Sequence, residues 1–160
     1  NRPALSVSDM KRFYDAQPED PYRALWFYLA ERKLDESTAM SHLRDHLNKQ
    51  GDDAWNWDLV RLYTGQINAT QLMGSVVKGV KDNRELAERL CETYFYLGKF
   101  ELFKGNRKEA ISYFKLALAN NVYDFIEHRY ALLELELMAR KSPPPGSQPQ
   151  GEQSGKPAAL

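Results

Sequence analysis

Three times in the second half of the chain, an Asp or Asn is followed three residues later by Glu, and then by apolar residues at helical spacing. The pairs are Asp82 with Glu85, Asn106 with Glu109, and Asp124 with Glu127. A short polar side chain at the first position can accept from a free N–H of the opening turn, and the carboxylate can reach back to the backbone it came from. This recurrence restricts the chain to helices joined by short turns. It predicts helices over 86–104, from 106 through 119, and from 124 through about 140, with Gly105 closing the first of them.

The first half reads the same way with weaker punctuation. Met10, Phe13 and Tyr14 give a short helix over 6–17 an apolar stripe. Asp20-Pro21 starts a second helix, since Asp caps and Pro fits the first helical position; its stripe is Tyr22, Leu25, Trp26 and Leu29. Asp35 opens a third, carrying Ala39, Met40, Leu43 and Leu47 and ending near Gly51. Trp55, Leu59, Val60 and Tyr63 mark a fourth, stopped by Gly65. Asn68 with Gln71 caps a fifth over 72–80, where Gly74 and Gly79 weaken helix propensity. No run alternates with period two, so strands are not expected. The helical domain spans 1–141. Residues 142–160, opening on Pro143-Pro144-Pro145 and rich in Pro, Gly, Ser and Gln, cannot bury enough surface to offset ordering and are read as a disordered tail.

Composition narrows the function. Hydrophobic residues make up 42%, enough for a core, and 22 Lys plus Arg balance 22 Asp plus Glu. A balanced chain lacks the clustered cations that nucleic acid requires. No stretch approaches the roughly 20 apolar residues of a membrane span. The single cysteine, Cys91, is read as a small buried apolar side chain. The chain opens at Asn1 without a secretory segment, which leaves two expectations: a cytosolic protein, or one whose upstream targeting segment has been removed.

Helix–turn–helix units with a period of about 34 residues suggest tetratricopeptide repeats. The segment 91–124 resembles that family through Tyr94, Leu97, Gly98, Gly105, Ala110, Phe114, Ala117 and Leu118. Gly98 and Ala110 are small where the two helices of a hairpin cross. Phe114 and Leu97 fill the space between hairpins, and Gly105 permits the turn. Glu101 and Val122 depart from the family pattern, which prefers an aromatic and a Pro there. Phe13, Ala16 and Pro21 have the spacing of the second half of one repeat, so a missing upstream helix is expected. Residues 22–47 and 53–80 form tetratricopeptide-like hairpins. The fold class expected is all-α, a short solenoid.

Such solenoids present a concave groove lined by the first helix of each hairpin. The resemblance assigns groove positions to Glu92, Phe95, Lys99, Leu102 and Phe103, then to Ile126 and Arg129, with Tyr28 and Arg32 as counterparts earlier in the chain. Aromatic, apolar and cationic groups together suit an extended peptide. The paired Lys and Asn of repeats that bind chaperone tails do not occur at these positions. The last helix is apolar on more than one side. Ile126, Tyr130, Leu133 and Leu137 form one stripe, and Phe125, Leu132 and Leu135 lie off it. This excess suggests docking against another subunit, an upstream repeat or a partner; contact of Leu132 and Leu135 with the preceding hairpin is the competing reading.

Catalytic patterns are not found. His42 and His46 lie one helical turn apart, but Leu43 stands where a zinc protease needs Glu. His128 reads as a surface or hydrogen-bonding residue. There is no Gly-rich phosphate loop, no nucleophile motif and no acidic pair assignable to a cleft, so neither enzyme activity nor a cofactor is expected. Asn68-Ala69-Thr70 matches a glycosylation sequon, yet Asn68 is better used as a cap. By spacing, Trp26, Trp55 and Trp57 are mostly core.

Longer segments carry a closer resemblance. Asp20-Pro21-Tyr22-Arg23-Ala24-Leu25-Trp26-Phe27-Tyr28-Leu29-Ala30-Glu31, Glu92-Thr93-Tyr94-Phe95-Tyr96-Leu97-Gly98-Lys99, Ala119-Asn120-Asn121-Val122 and Glu127-His128-Arg129-Tyr130-Ala131-Leu132-Leu133-Glu134-Leu135 resemble the C-terminal half of NlpI-type lipoproteins of gammaproteobacteria. The similarity keeps its order over 9–137. It implies a periplasmic protein anchored to the outer membrane through an N-terminal lipid that this chain lacks. It also implies a homodimer when full length. The implied role is that of an adaptor that brings cell-wall endopeptidases to a tail-specific periplasmic protease and so limits peptidoglycan hydrolysis. A generic cytosolic tetratricopeptide module is the alternative.

Overall fold

The computed structural model describes residues 3–49 and 54–140. The expected tail over 142–160 and the expected helix end at Gly51 lie outside the described residues. The described chain is all-helical: α1 (Pro3–Asp15), α2 (Pro21–Glu31), α3 (Glu36–Asn48), α4 (Trp57–Tyr63), α5 (Ala69–Val76), α6 (Asn83–Phe103), α7 (Arg107–Ala119) and α8 (Ile126–Arg140), with no strand among the described residues.

Short polar side chains fix four of the starts. Asp20 accepts from the N–H groups of Tyr22 and Arg23, with Pro21 in the first turn. Asp35 accepts from Ser37 and Thr38. Asn68 and Gln71 form the reciprocal box in full. Asp82 accepts from the Glu85 N–H, while the Glu85 carboxylate reaches one residue further back, to the Lys81 N–H at 2.9 Å. Each such cap is worth about 1 kcal/mol. The two remaining caps expected in the sequence do not form. Asn106 makes no side-chain bond to its helix; its amide instead donates to Glu101 Oε2 at 2.5 Å, closing the turn between α6 and α7. Asp124 lies two residues ahead of α8, exposed in the preceding turn. Helix α5 also stops earlier than expected, at Val76, and Gly79 then takes a left-handed φ of 65°.

Consecutive helices pack against one another, α6 against α7 most extensively. Gly98 explains that closeness. A Cβ there would sit 2.6 Å from the Phe114 ring, and both residues are fully buried. Ala110 and Ala117 of α7 are likewise fully buried. Gly105, at φ 83°, turns the chain between the two helices where an L-side chain would be strained.

The even-numbered helices also approach one another, α2 to α4, α4 to α6 and α6 to α8, and so form a row. Aromatic side chains fill it: Tyr63 of α4 meets Tyr28 edge-on at 5.6 Å and Phe100 at 5.4 Å, and its hydroxyl donates to the Tyr96 carbonyl at 2.7 Å. Trp57 is fully buried, whereas Trp26 and Trp55 are half-buried.

Helix α8 turns few of its large apolar side chains inward. Its buried residues are Glu127, Ala131 and Met138. The expected stripe is exposed throughout: Ile126 49%, Tyr130 40%, Leu133 44% and Leu137 40%, joined by Leu132 at 48%. As the last described helix it packs along α6 and α7, where small Ala131 lets it approach closely, and meets α2 only through side chains such as Trp26; the larger side chains one position round are left outside.

Candidate functional site

The cap at Asp20 sets the phase of α2, placing Tyr22 and Trp26 one turn apart on the same face. Opposite them on α6 stand Glu92, Phe95, Lys99 and Phe103, again at helical spacing. Side chains span the gap. Tyr22 donates to Glu92 Oε2 at 2.6 Å, Trp26 stacks on Phe95 at 5.7 Å, and the Arg32 guanidinium lies 3.4 Å from the Phe103 ring centroid. Trp26 also meets Tyr130 of α8 edge-on at 4.9 Å.

Glu92, Phe95, Lys99, Phe103 and Arg32 are therefore brought to one side of the molecule, but much of what faces them is the chain's own α2. Tyr28 and Phe95 are buried at 4% and 1% exposure, out of a partner's reach in this fold. Lys99 is enclosed and bonded to Glu134 at 2.6 Å; burial lowers its pKa and the neighbouring Glu134 opposes that shift. Arg32 is held by Glu36 and Phe103, and Leu102 is half-buried. Ile126 and Arg129 remain exposed. The reason is that α2 lies across from α6 and α8, so large aromatic side chains close much of the space between them.

One end stays open. A cleft of about 550 Å³ lies between α1–α2 and the start of α8. Its walls are apolar and aromatic, with Met10 and Phe13 from α1, Trp26 from α2, and Ile126 and Tyr130 from α8; Tyr22, Glu92 and Glu127 also line it. Glu127 is 4% exposed and accepts from the Tyr96 hydroxyl at 3.3 Å. Burial pushes the Glu92 carboxyl up to about 8, opposed by the Tyr22 hydrogen bond and reinforced by the Glu127 charge. Burial likewise raises the Glu127 carboxyl, against hydrogen bonds that include those from Tyr96 and Trp26. The Tyr22 phenol is pushed far up by burial and then by Glu92.

This acidic pair corrects the expectation that no two carboxylates share a cleft. In the sequence Glu127 reads as a helix-capping residue and Glu92 as a groove position. A signal did exist: Glu92 and Glu127 are 127 − 92 = 35 residues apart, the same separation as Lys99 and Glu134. Both pairs are about one repeat length apart.

Elsewhere, His46 is 7% exposed, packed 4.0 Å from the Tyr14 ring, with neither ring nitrogen hydrogen-bonded. Burial lowers its pKa to about 4, with His42 and Lys49 adding to the shift. His42 instead contacts Glu31 at 2.9 Å. Among the described residues no three His, Cys, Asp or Glu side chains are grouped to hold a metal ion. Cys91 is fully buried and its thiol is pushed up to about 12 by burial, as befits an unreactive core residue. No described helix is long and apolar enough to cross a membrane. No model of a known protein family matches the chain.

Proposed function

We propose that this chain is a protein-binding scaffold rather than an enzyme, and that it belongs to a periplasmic adaptor joining a tail-specific protease to cell-wall endopeptidases. The observation that carries the scaffold reading is the exposed stripe on α8. Ile126, Tyr130, Leu133 and Leu137 run the length of a 15-residue helix, each at least 40% exposed. Ile126 and Tyr130 continue that stripe into the cleft. A contiguous apolar face of this kind marks a surface that another protein covers. The resemblance of the segments around Tyr22, Tyr94 and Tyr130 to NlpI-type lipoproteins supplies the particular role. With it come the homodimer and the lipid anchorage at the outer membrane of the longer form. A generic cytosolic repeat module would use the same face.

The Glu92 carboxyl favours a second reading, because an acid held protonated near neutral pH is what a general acid requires. The geometry supports it less. Glu92 is engaged by Tyr22 and Glu127 by Tyr96.

Capture from a periplasmic extract tests the adaptor reading, with this chain and a longer parent as baits and the captured proteins identified by mass spectrometry. Recovery of a tail-specific protease or an endopeptidase supports it. Recovery of neither by either bait removes the particular role and leaves a helical scaffold. Cleavage of peptidoglycan by the chain alone would instead favour the enzyme.

A further inference from the structure

The cleft combines two features that a single kind of side chain satisfies. Its walls include the exposed Phe13, Ile126 and Tyr130 and the half-buried Trp26, together with the half-buried Glu92 and the buried Glu127. Among the described residues these carboxylates are offered phenols and an indole, but no cation in hydrogen-bonding contact. Two arginines near these carboxylates, Arg23 in the cleft wall and Arg89 on α6, are held by other groups. Arg23 donates to the Phe13 carbonyl at 2.6 Å and lies over the Phe13 ring. Arg89 donates to the carbonyls of Val76 and Lys78 and to Glu85. Asp124 adds negative charge at the cleft, whereas Asp20 there is paired with Arg23 at 3.5 Å.

We propose that this cleft seats a lysine or arginine side chain from an extended segment of a partner protein. The cationic end would lie against Glu92 and Glu127, and the aliphatic stem along Trp26 and Tyr130. The inference rests on the scaffold reading above and names the chemistry that reading leaves open. Long cationic side chains bury their stems on apolar surface while keeping the charge with a polar partner.

Binding is then coupled to a proton. The groups that interact with Glu92 are Tyr22 from α2, Glu88, Arg89, Cys91 and Tyr96 from α6, and Glu127 from α8. Glu88 is tied to Arg84 at 2.9 Å, and Arg89 is held as described above. With its carboxyl at about 8, Glu92 is mostly neutral at pH 7, and an arriving cation displaces its proton. Affinity therefore rises with pH, up to about tenfold per unit below pH 8, and levels off above it.

The test uses the full chain and a capped hexapeptide with one central lysine flanked by alanine and leucine, followed by amide and indole NMR shifts at pH 6, 7, 8 and 9. The expected result is movement of the Trp26 indole and of the Glu92, Glu127 and Tyr130 amides. Binding should be at least tenfold weaker for the norleucine and aspartate versions of the peptide. Glu92→Gln, which keeps an acceptor for Tyr22, should weaken lysine binding about tenfold and flatten its pH dependence. Tyr130→Ala, at an exposed position, should weaken binding without unfolding the chain. Equal binding of the norleucine peptide, undiminished binding by Glu92→Gln, or shifts confined to the α8 stripe would each overturn the proposal. The capture experiment is separate. A lysine-selective cleft with no adaptor partners leaves this inference standing and removes the particular role; partners captured without lysine selectivity do the reverse.

Discussion

At residue 98 a single methyl group decides whether α6 and α7 can meet. Gly98→Ala would place a carbon 2.6 Å from the Phe114 ring, where buried neighbours leave little room to move. Overpacking of this kind costs about 1–3 kcal/mol. Gly98→Ala should therefore lower the urea midpoint without changing the slope, and adding Phe114→Leu should recover part of the loss. His46 acts in the opposite sense, through a charge it must not acquire. Its folded pKa of about 4 lies below its ordinary 6.5, so the unfolded chain takes up the proton first. Stability from this residue is intact above about pH 6.5 and is lost as pH falls toward 4, by roughly 2–3 kcal/mol in all once discounted for solvent screening of the ring. His46→Leu should flatten the stability curve between those values, read by denaturation at a series of pH values. If the slope persists, carboxylates elsewhere carry it.

Helix α8 shows how an element can be located in a sequence while its inward face stays undecided. Its length and end were legible, because the apolar spacing and Arg140 bracket it. Its start and orientation were not. With Asp124 displaced into the turn, Glu127 enters the interior and the large apolar side chains remain outside. A double change on the outer face, Leu133→Glu with Leu137→Glu, should leave thermal stability within about 0.5 kcal/mol, as surface substitutions do. The same change should abolish capture of any partner that covers the stripe. A large loss of stability instead would show that the stripe packs against the chain itself. Helix α6 was the most legible element. Gly98 and Gly105 hold the places that the hairpin pattern gives them, and even the departure at Glu101 has a use, since its carboxylate binds Lys104 and Asn106 across the turn.

The row of α2, α4, α6 and α8 is held laterally by polar as well as aromatic contacts. Lys99 and Glu134 join α6 to α8 with both side chains largely enclosed, at 12% and 17% exposure. Removing one member of such a pair strands a charge, at a cost of about 3–5 kcal/mol for full burial. The partial exposure here reduces that to about 2–3 kcal/mol. Glu134→Ala should therefore destabilise clearly in chemical denaturation, and Lys99→Met with Glu134→Leu should recover most of the loss. If the double variant is no better than the single, packing rather than charge sets the cost. Trp26 makes a parallel tie, touching Phe95 and Tyr130 at once and so linking α2 to both later helices.

Local chemistry determined what could be read without coordinates. Capping side chains, glycines at turns and apolar spacing act within a few residues, so Asp20, Asp35, Asn68 and Gly105 mark their boundaries as written. The all-helical class and the small residues of the α6–α7 crossing follow from the same short-range rules. Tertiary packing alone decided which face of α8 is inside, whether Asn106 caps its helix or bonds Glu101, and how far α2 closes the face of α6. It also joined Glu92 and Glu127, residues on separate helices, beneath one cleft. Those outcomes depend on distances between helices, and a sequence fixes such distances only through the combined volumes of side chains that meet after folding.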